Sequence, residues 1–303
     1  MKNKGQKTVD RKQYSVPIFN QKGSAIIITV LIVTILVALV VEFAYEVYID
    51  TSALSNWTNA QKASLIAKSG QTLRFKYIDM IKSDNILSEI EFPVERDLGP
   101  NTQLTIKIED ENAKFNINSL IYQKGTINKQ TLASLQKLFE YLNINTKLAD
   151  TIADWLDSDS EPIEGLSDSE NNAKNALLQS IDELKLIPGI DKNTFDKISP
   201  FITVYGNNLI NVNTANLPVL KSLHVDMTET LAQRIIDYRE TTPFNDKFSG
   251  QLWDLIGINI NSTYITYKSS NFRVTTKATV NEITRVIESV VDKSKKIQFW
   301  REQ

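Results

Sequence analysis

The chain has 303 residues, a formal net charge of −2 and no cysteine. The absence of cysteine excludes a disulfide framework and a thiol nucleophile. Six basic residues and one acid precede Ser24, so this first part carries a charge of +5 and leaves −7 for the remainder. The acidic charge of the main part argues against binding to polyanions such as nucleic acids.

An uncharged run from Ser24 to Val41 is the longest apolar stretch of the chain. Its eighteen residues span about 27 Å as a helix, close to the thickness of the hydrocarbon core of a bilayer. Apolar side chains cover every face of this helix, whereas a helix in the core of a soluble protein usually keeps a polar face. The run therefore predicts a transmembrane helix.

The residues before this run predict its orientation. Basic side chains in excess of acids hold the N-terminus in the cytoplasm. They are Lys2, Lys4, Lys7, Arg11, Lys12 and Lys22. A secretory signal peptide carries small residues at a cleavage site after its apolar run, whereas Gly23 and Ser24 precede the run here. Cleavage at this point would leave the anchor attached to the protein.

The string KGSAIII, followed by the apolar run, resembles the signal of type IV pilins and type II secretion pseudopilins. In these proteins a prepilin peptidase cuts after the glycine. The resemblance therefore implies a leader that ends at Gly23 and a methylated mature N-terminus at Ser24. Most such proteins have a glutamate five residues after the cut, where this chain has Ile28. That omission is characteristic of the large minor pseudopilin K family, which implies a single-pass protein of the inner membrane with a periplasmic C-terminal domain.

The apolar run is predicted to continue into an amphipathic helix. Residues in steps of three and four predict one buried stripe, formed by Ala63, Ile66, Gly70, Leu73, Tyr77 and Met80. The positions between them predict a solvent-exposed face, which includes Lys62, Lys68, Gln71, Arg74 and Lys76. No proline lies between Pro17 and Pro93, so both parts can form one continuous helix.

Strand patterns occur on both sides of a helical block. Thr102–Ile108 alternates between apolar and polar residues, and strand patterns return after Gly257 with a turn at Asn281. We therefore expect an α+β fold, in which a long N-terminal helix packs on an antiparallel sheet and an α-helical domain with helix-hairpin-helix-like elements is inserted. The expected parts are a leader (1–23), a transmembrane helix (24–42), a pilin-like domain (43–127 and 201–303) and an inserted α-helical domain (128–200).

The densest acidic cluster runs from Asp154 to Glu170, where seven of seventeen residues are carboxylates and none is basic. These charges repel one another unless a cation neutralises them. The spacing of Asp157, Asp159 and Glu161 allows alternate oxygens to converge, which suits calcium. A solvated acidic loop is the alternative interpretation. The segment is not an EF-hand, because the glycine and the terminal glutamate of that loop are out of place.

The same cluster resembles the pseudopilin K family. The D-W-x-D-x-D stretch of that family, which binds calcium, is matched by Asp154, Trp155, Asp157 and Asp159. The resemblance therefore implies calcium as a cofactor. Beyond Asp159 the family pattern is replaced by GLSDSENN, in which two further acids are candidates. The predicted ligands are Asp157, Asp159, Glu161, Asp168 and Glu170.

The segment Ser180–Ile198 resembles a helix-hairpin-helix in which Asp182 caps the first helix. A related pattern recurs at Asn213–Arg239. Hairpins that bind DNA use two glycines to bring backbone N–H groups to a phosphate. The first copy has Asp191 in place of the second glycine, and the second copy has no glycine. We therefore expect these hairpins to pack against other helices.

Two further phrases, KFNINSL and NVNTA, resemble the same family, and Thr214 in the second is the expected N-cap of the next helix. The resemblance implies a non-enzymatic minor pseudopilin at the tip of the type II secretion pseudopilus, with partners of the I and J types. The alternatives are a membrane-anchored protein for DNA uptake, a minor pilin of a type IV pilus, and a carboxylate-dependent hydrolase. The sole histidine, His224, lies in a polar turn, and no catalytic residue is predicted.

Overall fold

A computed structural model of the protein describes residues 21–80, 89–94, 98–158, 173–246 and 250–303. The chain divides into two units, Met1–Thr58 and Asn59–Gln303. The helices are α1 (Gln21–Met80), α2 (Lys129–Tyr141), α3 (Lys147–Leu156), α4 (Lys192–Ile198), α5 (Leu217–Ser222), α6 (Glu229–Thr241) and α7 (Gln251–Ile256). The strands are β1 (Glu89–Pro93), β2 (Thr102–Asp110), β3 (Phe115–Asn116), β4 (Ile202–Thr203), β5 (Ile210–Asn211), β6 (Ile265–Thr266), β7 (Asn271–Val280), β8 (Ile283–Asp292) and β9 (Ile297–Glu302).

Helix α1 is 60 residues long, which confirms that the anchor and the amphipathic segment form one continuous helix. Within Gly23–Arg74 it contains a stretch that is long and apolar enough to cross a membrane. None of that stretch is buried within the protein. This part of the helix therefore has the length and the surface expected of a membrane anchor.

The second unit contains an antiparallel sheet with the strand order β1-β2-β7-β8-β9. The predicted strands before and after the helical block are thus neighbours, because β2 pairs with β7 along its whole length. The predicted turn between β7 and β8 is confirmed at Asn281, whose φ of 51° is in the left-handed region that asparagine tolerates. The sheet is therefore built from both ends of the second unit.

One face of the sheet is covered by α1, but the buried side of the helix is rotated from the predicted stripe. Ala63, Ala67 and Gly70 are buried, and a Cβ on Gly70 would lie 3.2 Å from side chains of β2 and β7. Gln71 and Arg74 were predicted to be exposed and are 1% and 7% exposed. Small side chains let the helix approach the sheet closely, and the prediction for these two polar residues is wrong.

Gln71 can be buried because its polar atoms form hydrogen bonds with the sheet. Its amide donates to the backbone oxygens of Val274 (3.0 Å) and Ile287 (3.1 Å), and its side-chain oxygen accepts from the hydroxyl of Ser289 (2.8 Å). A buried amide with these partners avoids most of the penalty for losing water. Periodicity alone cannot identify such a residue, since it assigns every polar side chain to solvent.

The second unit contains two hydrophobic cores. The smaller core lies between α1 and the sheet and includes Leu104, Ile106 and Ile108 of β2. The larger core belongs to the helical region, which we define as residues 115–265, and it also receives Val290 from β8. Helices on both sides of Pro200 share this larger core, whereas the predicted inserted domain covers residues 128–200. The boundaries of the inserted domain at residues 128 and 200 stay a prediction.

The first hairpin packs as expected, although its cap differs from the prediction. The N-cap of the 3₁₀ helix Ile181–Leu186 is Ser180, and it forms a capping box with Glu183. Asp182 therefore does not cap this helix. In the turn, Gly189 has a φ of 87°, and a Cβ there would lie 2.7 Å from Leu148 of α3. The backbone of the turn thus lies against a neighbouring helix.

Candidate functional site

The predicted processing site lies in the first turns of α1. Gly23 is exposed, and no atom lies within 4 Å of the place that a Cβ would take. Ser24 is half-buried. Both residues are accessible on the helix, and cleavage between them stays a prediction.

The described part of the first unit exposes many large apolar side chains. Ile28, at the position where a glutamate is usual in the resembling proteins, is 55% exposed. Large apolar side chains are also exposed further along the same unit, among them Val40, Phe43, Val47, Leu54 and Trp57. A surface of this size requires a lipid or protein environment.

The structure describes the acidic cluster only as far as Ser158, and the described chain resumes at Ala173. Asp159, Glu161, Asp168 and Glu170 lie within residues 159–172, which are outside the described residues. Asp157 follows α3 and is 2% exposed, and Asp154 within α3 is fully buried. In the part of the chain that the structure describes, no three potential metal ligands come together. The calcium site therefore stays a prediction.

The ends of this loop are held in place by the backbone. The Ser158 amide donates to the carbonyl oxygen of Gly125 (3.1 Å), and the Asn175 amide donates to that of Trp155 (3.1 Å). Gly125 has a φ of 84°, and a Cβ there would lie 2.1 Å from the hydroxyl of Ser158. Only glycine fits this position, so Gly125 lets its backbone lie close to Ser158, the last described residue before the loop.

A buried carboxylate that the sequence did not reveal joins the sheet to the helical region. The hydroxyl of Thr214 donates to Asp110 Oδ2 (2.6 Å), and further donors are the Ser269 hydroxyl (2.6 Å) and the Asn211 amide (3.0 Å). Thr214 is therefore not an N-cap, and Asn216 caps α5 instead. Burial raises the pKa of Asp110, and the hydrogen bonds offset part of this effect.

Asparagine side chains satisfy the irregular backbone around this carboxylate. The Asn213 amide donates to the carbonyls of Phe244 (2.8 Å) and Tyr267 (3.0 Å) and accepts from the Phe244 amide (2.9 Å). Asn118 similarly donates to the carbonyls of Leu178 and Val204, both at 2.9 Å. These asparagines belong to the phrases KFNINSL and NVNTA, where alternate asparagines were the only sequence signal.

A network of ion pairs lies beside this cluster. Arg273 Nε donates to Glu111 Oε1 (2.6 Å), and the same guanidinium pairs with Glu288. The side chain of Glu111 is fully buried, and burial alone would raise its pKa. The charges of Lys114 and Arg273 more than offset that effect, so the pKa of Glu111 lies below its usual value. Glu111 is therefore a buried anion that depends on its cations.

The sole histidine, His224, has one local hydrogen bond and a nearby exposed carboxylate. His224 Nδ1 accepts a hydrogen bond from the amide of Asp226 (3.1 Å), as in a local turn. The carboxylate of Asp226 lies 3.6 Å from the same nitrogen, and its side chain is 75% exposed. An inert role for His224 stays a prediction.

Comparison with known proteins identifies the helical region with one family. The first-domain family model of Type II secretion system (T2SS), protein K, matches residues 113–207, and a second model of the same protein matches residues 210–261. Together these matches include the asparagine phrases, the ends of the acidic loop and both hairpins.

Curated relatives and a solved structure agree with these matches. Type II secretion system protein K of Pseudomonas aeruginosa is 26% identical over 64% of this chain, and the chain spans 62% of that relative's length. The protein of the same name from Aeromonas hydrophila is 23% identical over 91% of this chain and 94% of its own length. The crystal structure of the GspK-GspI-GspJ complex from enterotoxigenic Escherichia coli includes a chain that is 18% identical to this one, with a TM-score of 0.60. The match covers 82% of this chain and 99% of the chain in that complex. The chain belongs to the type II secretion system protein K family.

Proposed function

We propose that the chain is a minor pseudopilin at the tip of the type II secretion pseudopilus, where it initiates or caps assembly for protein export. The observation that carries this proposal is Ile28, which replaces a glutamate within an apolar helix. In a stack of pilin helices, an ionised glutamate needs a cation such as the N-terminal amine of the subunit ahead, because an unpaired charge is costly there. A subunit with none ahead has no such amine to meet.

The size of the helical region supports the same position. The described residues between 115 and 265 form one large core beside the sheet. A domain of this bulk would be difficult to repeat at every position along a thin fibre, whereas it can be accommodated at the end. The role is therefore structural rather than enzymatic.

Minor pseudopilins of the I and J types are the proposed partners. One solved structure with a fold similar to that of this chain is a complex of GspK with GspI and GspJ. We expect the full-length chain in detergent to co-purify with I-type and J-type proteins of the same system. Recovery of the chain alone, under conditions where the I and J types bind each other, would contradict this assignment.

The DNA-uptake alternative is less well supported. In the first hairpin, Asp191 stands where a hairpin that binds DNA has its second glycine, and its carboxylate caps α4. The mature chain is also acidic, which opposes the approach of a polyanion. Binding of duplex DNA at physiological salt would reverse this preference.

We propose that a prepilin peptidase removes residues 1–23 and that the mature protein is anchored in the inner membrane by the helix that follows. The N-terminus then lies on the cytoplasmic side, and the C-terminal domain lies in the periplasm. Mass spectrometry should find a methylated N-terminus at Ser24. Gly23→Val should block cleavage, and functional protein with an intact leader would reject the assignment.

Calcium is the proposed cofactor of the acidic loop. Asp157, at the fixed start of the loop, supplies a carboxylate of the kind that calcium prefers, and the acids within residues 159–172 would complete the site. Binding to the folded state alone should stabilise it by about 2.7 kcal/mol at a hundredfold excess over the dissociation constant. We expect the melting temperature to rise with calcium and to fall with a chelator.

The variant Asp157→Ala with Asp159→Ala should lose this response. Asp226→Ala, which removes an exposed acid outside the loop, is the matched control and should keep it. A melting temperature that is insensitive to calcium in the unmodified protein would leave the loop as a solvated acidic segment.

A further inference from the structure

The last strand of the sheet has an open edge. β9 pairs with β8, and no other strand of the described residues lies beyond it. Val286 and Gln303 exchange both backbone hydrogen bonds, at 3.0 and 2.8 Å. Because hydrogen-bonded and non-hydrogen-bonded pairs alternate in an antiparallel ladder, Trp300, opposite Ser289, directs its N–H and C=O away from β8.

The opposite edge of the sheet is protected against pairing, and β9 is not. β1 carries the exposed acid Glu91 and ends at Pro93, both of which discourage a further strand. β9 instead presents Trp300, which is 43% exposed, and begins at Ile297, which is 46% exposed. The two edges therefore differ in the features that normally prevent strand addition.

The charges of β9 are turned toward its own chain. Arg301 donates to Glu288 (2.9 Å) and to Asp182 (3.0 Å). Glu302 pairs with Lys68 of α1 at 3.1 Å and accepts from the hydroxyl of Ser64. These ion pairs leave the indole of Trp300 and its outward backbone groups as the main features of the edge. An arriving strand would meet little charge in the middle of β9.

We propose that this edge receives an extended segment of a neighbouring minor pseudopilin, which adds as a strand beside β9. This inference rests on the proposed function, because it names the surface through which one of the proposed partners attaches. The turn before β9 contributes three positive charges, from Lys293, Lys295 and Lys296. The arriving segment should therefore carry acidic residues at that end, and its backbone should bond to the outward groups of Trp300.

Two variants separate the backbone from the side chain. Trp300→Pro removes the outward N–H, while the bonds to β8 are made by the adjacent positions, and proline is tolerated on an edge strand. Trp300→Ala removes the same indole but keeps the N–H. For the full-length chain in detergent, we expect Trp300→Pro to weaken binding to the I-type and J-type partners by about tenfold relative to Trp300→Ala.

Hydrogen exchange of the full-length chain, followed by mass spectrometry, gives a second readout. The peptide that covers 297–303 should exchange more slowly when the partners are bound. Co-purification without added protection of this peptide, and with equal binding of both variants, would overturn the edge proposal while leaving the tip assignment intact. Failure of the unmodified chain to bind either partner would instead count against the proposed function and against this surface with it. Protection that appears without partners and grows with protein concentration would identify a second copy as the occupant and would also overturn the proposal.

Discussion

The two cores of the second unit are stabilised in different ways. The core under α1 is formed by regular strands whose backbone groups bond to each other, and its main polar insertion is Gln71. The helical region contains strands of only two residues and several 3₁₀ turns, so side chains such as Asn213 and Asn118 complete its backbone hydrogen bonds. The stability of the regular sheet depends on its pattern of apolar residues, whereas the stability of the irregular region depends on particular polar side chains.

The largest effect should come from the ion pair that lies between these regions. Arg273→Met leaves Glu111 buried without its closest cation, and removal of one partner of a buried pair costs about 3–5 kcal/mol. Chemical denaturation of the full-length chain in detergent measures this loss. Arg301→Met is the matched control, because that side chain is 42% exposed and its pairs should contribute less than about 1 kcal/mol. Equal losses in the two variants would show that burial of Glu111 is unimportant.

The same variant should change the dependence of stability on pH. The pKa of Glu111 is depressed in the folded protein, so its contribution is present above its unfolded pKa and is lost as pH falls through the lower folded pKa. Without Arg273, burial should raise that pKa, so the contribution of Glu111 to stability should increase as pH falls instead of decreasing. The stability deficit of Arg273→Met should therefore narrow as pH falls below about 5. A deficit that is constant between pH 7 and pH 4 would contradict the assignment.

Next in size is the loss of an asparagine from the irregular region. Asn213→Ala leaves two carbonyls and one amide of the buried backbone without their partner, at a cost of about 3 kcal/mol. Asn216→Ala is the control within the same turn, where an exposed N-cap is lost at a cost of about 1 kcal/mol. Similar unfolding midpoints for both variants would mean that the asparagine bonds do not hold this core together.

The smallest effect is expected under α1. Gln71→Met keeps an unbranched side chain in an apolar core, so we expect a loss of about 1–2 kcal/mol from the carbonyls and the Ser289 hydroxyl that it leaves. Adding Ser289→Ala to this variant should recover part of the loss, because an unpaired hydroxyl is removed. A double variant that is less stable than Gln71→Met would contradict the role of this pair.

The regular region was largely predictable from the sequence, and the irregular one was not. The alternation of apolar and polar residues predicts β2 and the turn at Asn281, and the absence of proline predicts the long α1. Each of these elements depends on a local pattern. The role of Thr214 could not be read in this way, since its partner Asp110 is 104 residues distant. The buried Gln71 was missed for the same reason, because its partners lie on β7 and β8.

The candidate sites follow the same division. The anchor and the processing site are contiguous in sequence, so Gly23, Ser24 and Ile28 could be found without a structure. The edge of β9 could not be identified from the sequence. It depends on which strand lies last in the sheet and on which residues form ion pairs with Arg301 and Glu302. Contacts between distant segments decide which polar groups remain available to another protein.

The tip assignment is tested most directly by counting copies of the chain on isolated fibres. The chain has no cysteine, so Val225→Cys introduces a single thiol at a position that is 72% exposed within the helical region. Labelling of that thiol with gold, followed by electron microscopy of purified pseudopili, locates each copy. The account predicts one label per fibre, at one end. Labels at regular intervals along the fibre would contradict it.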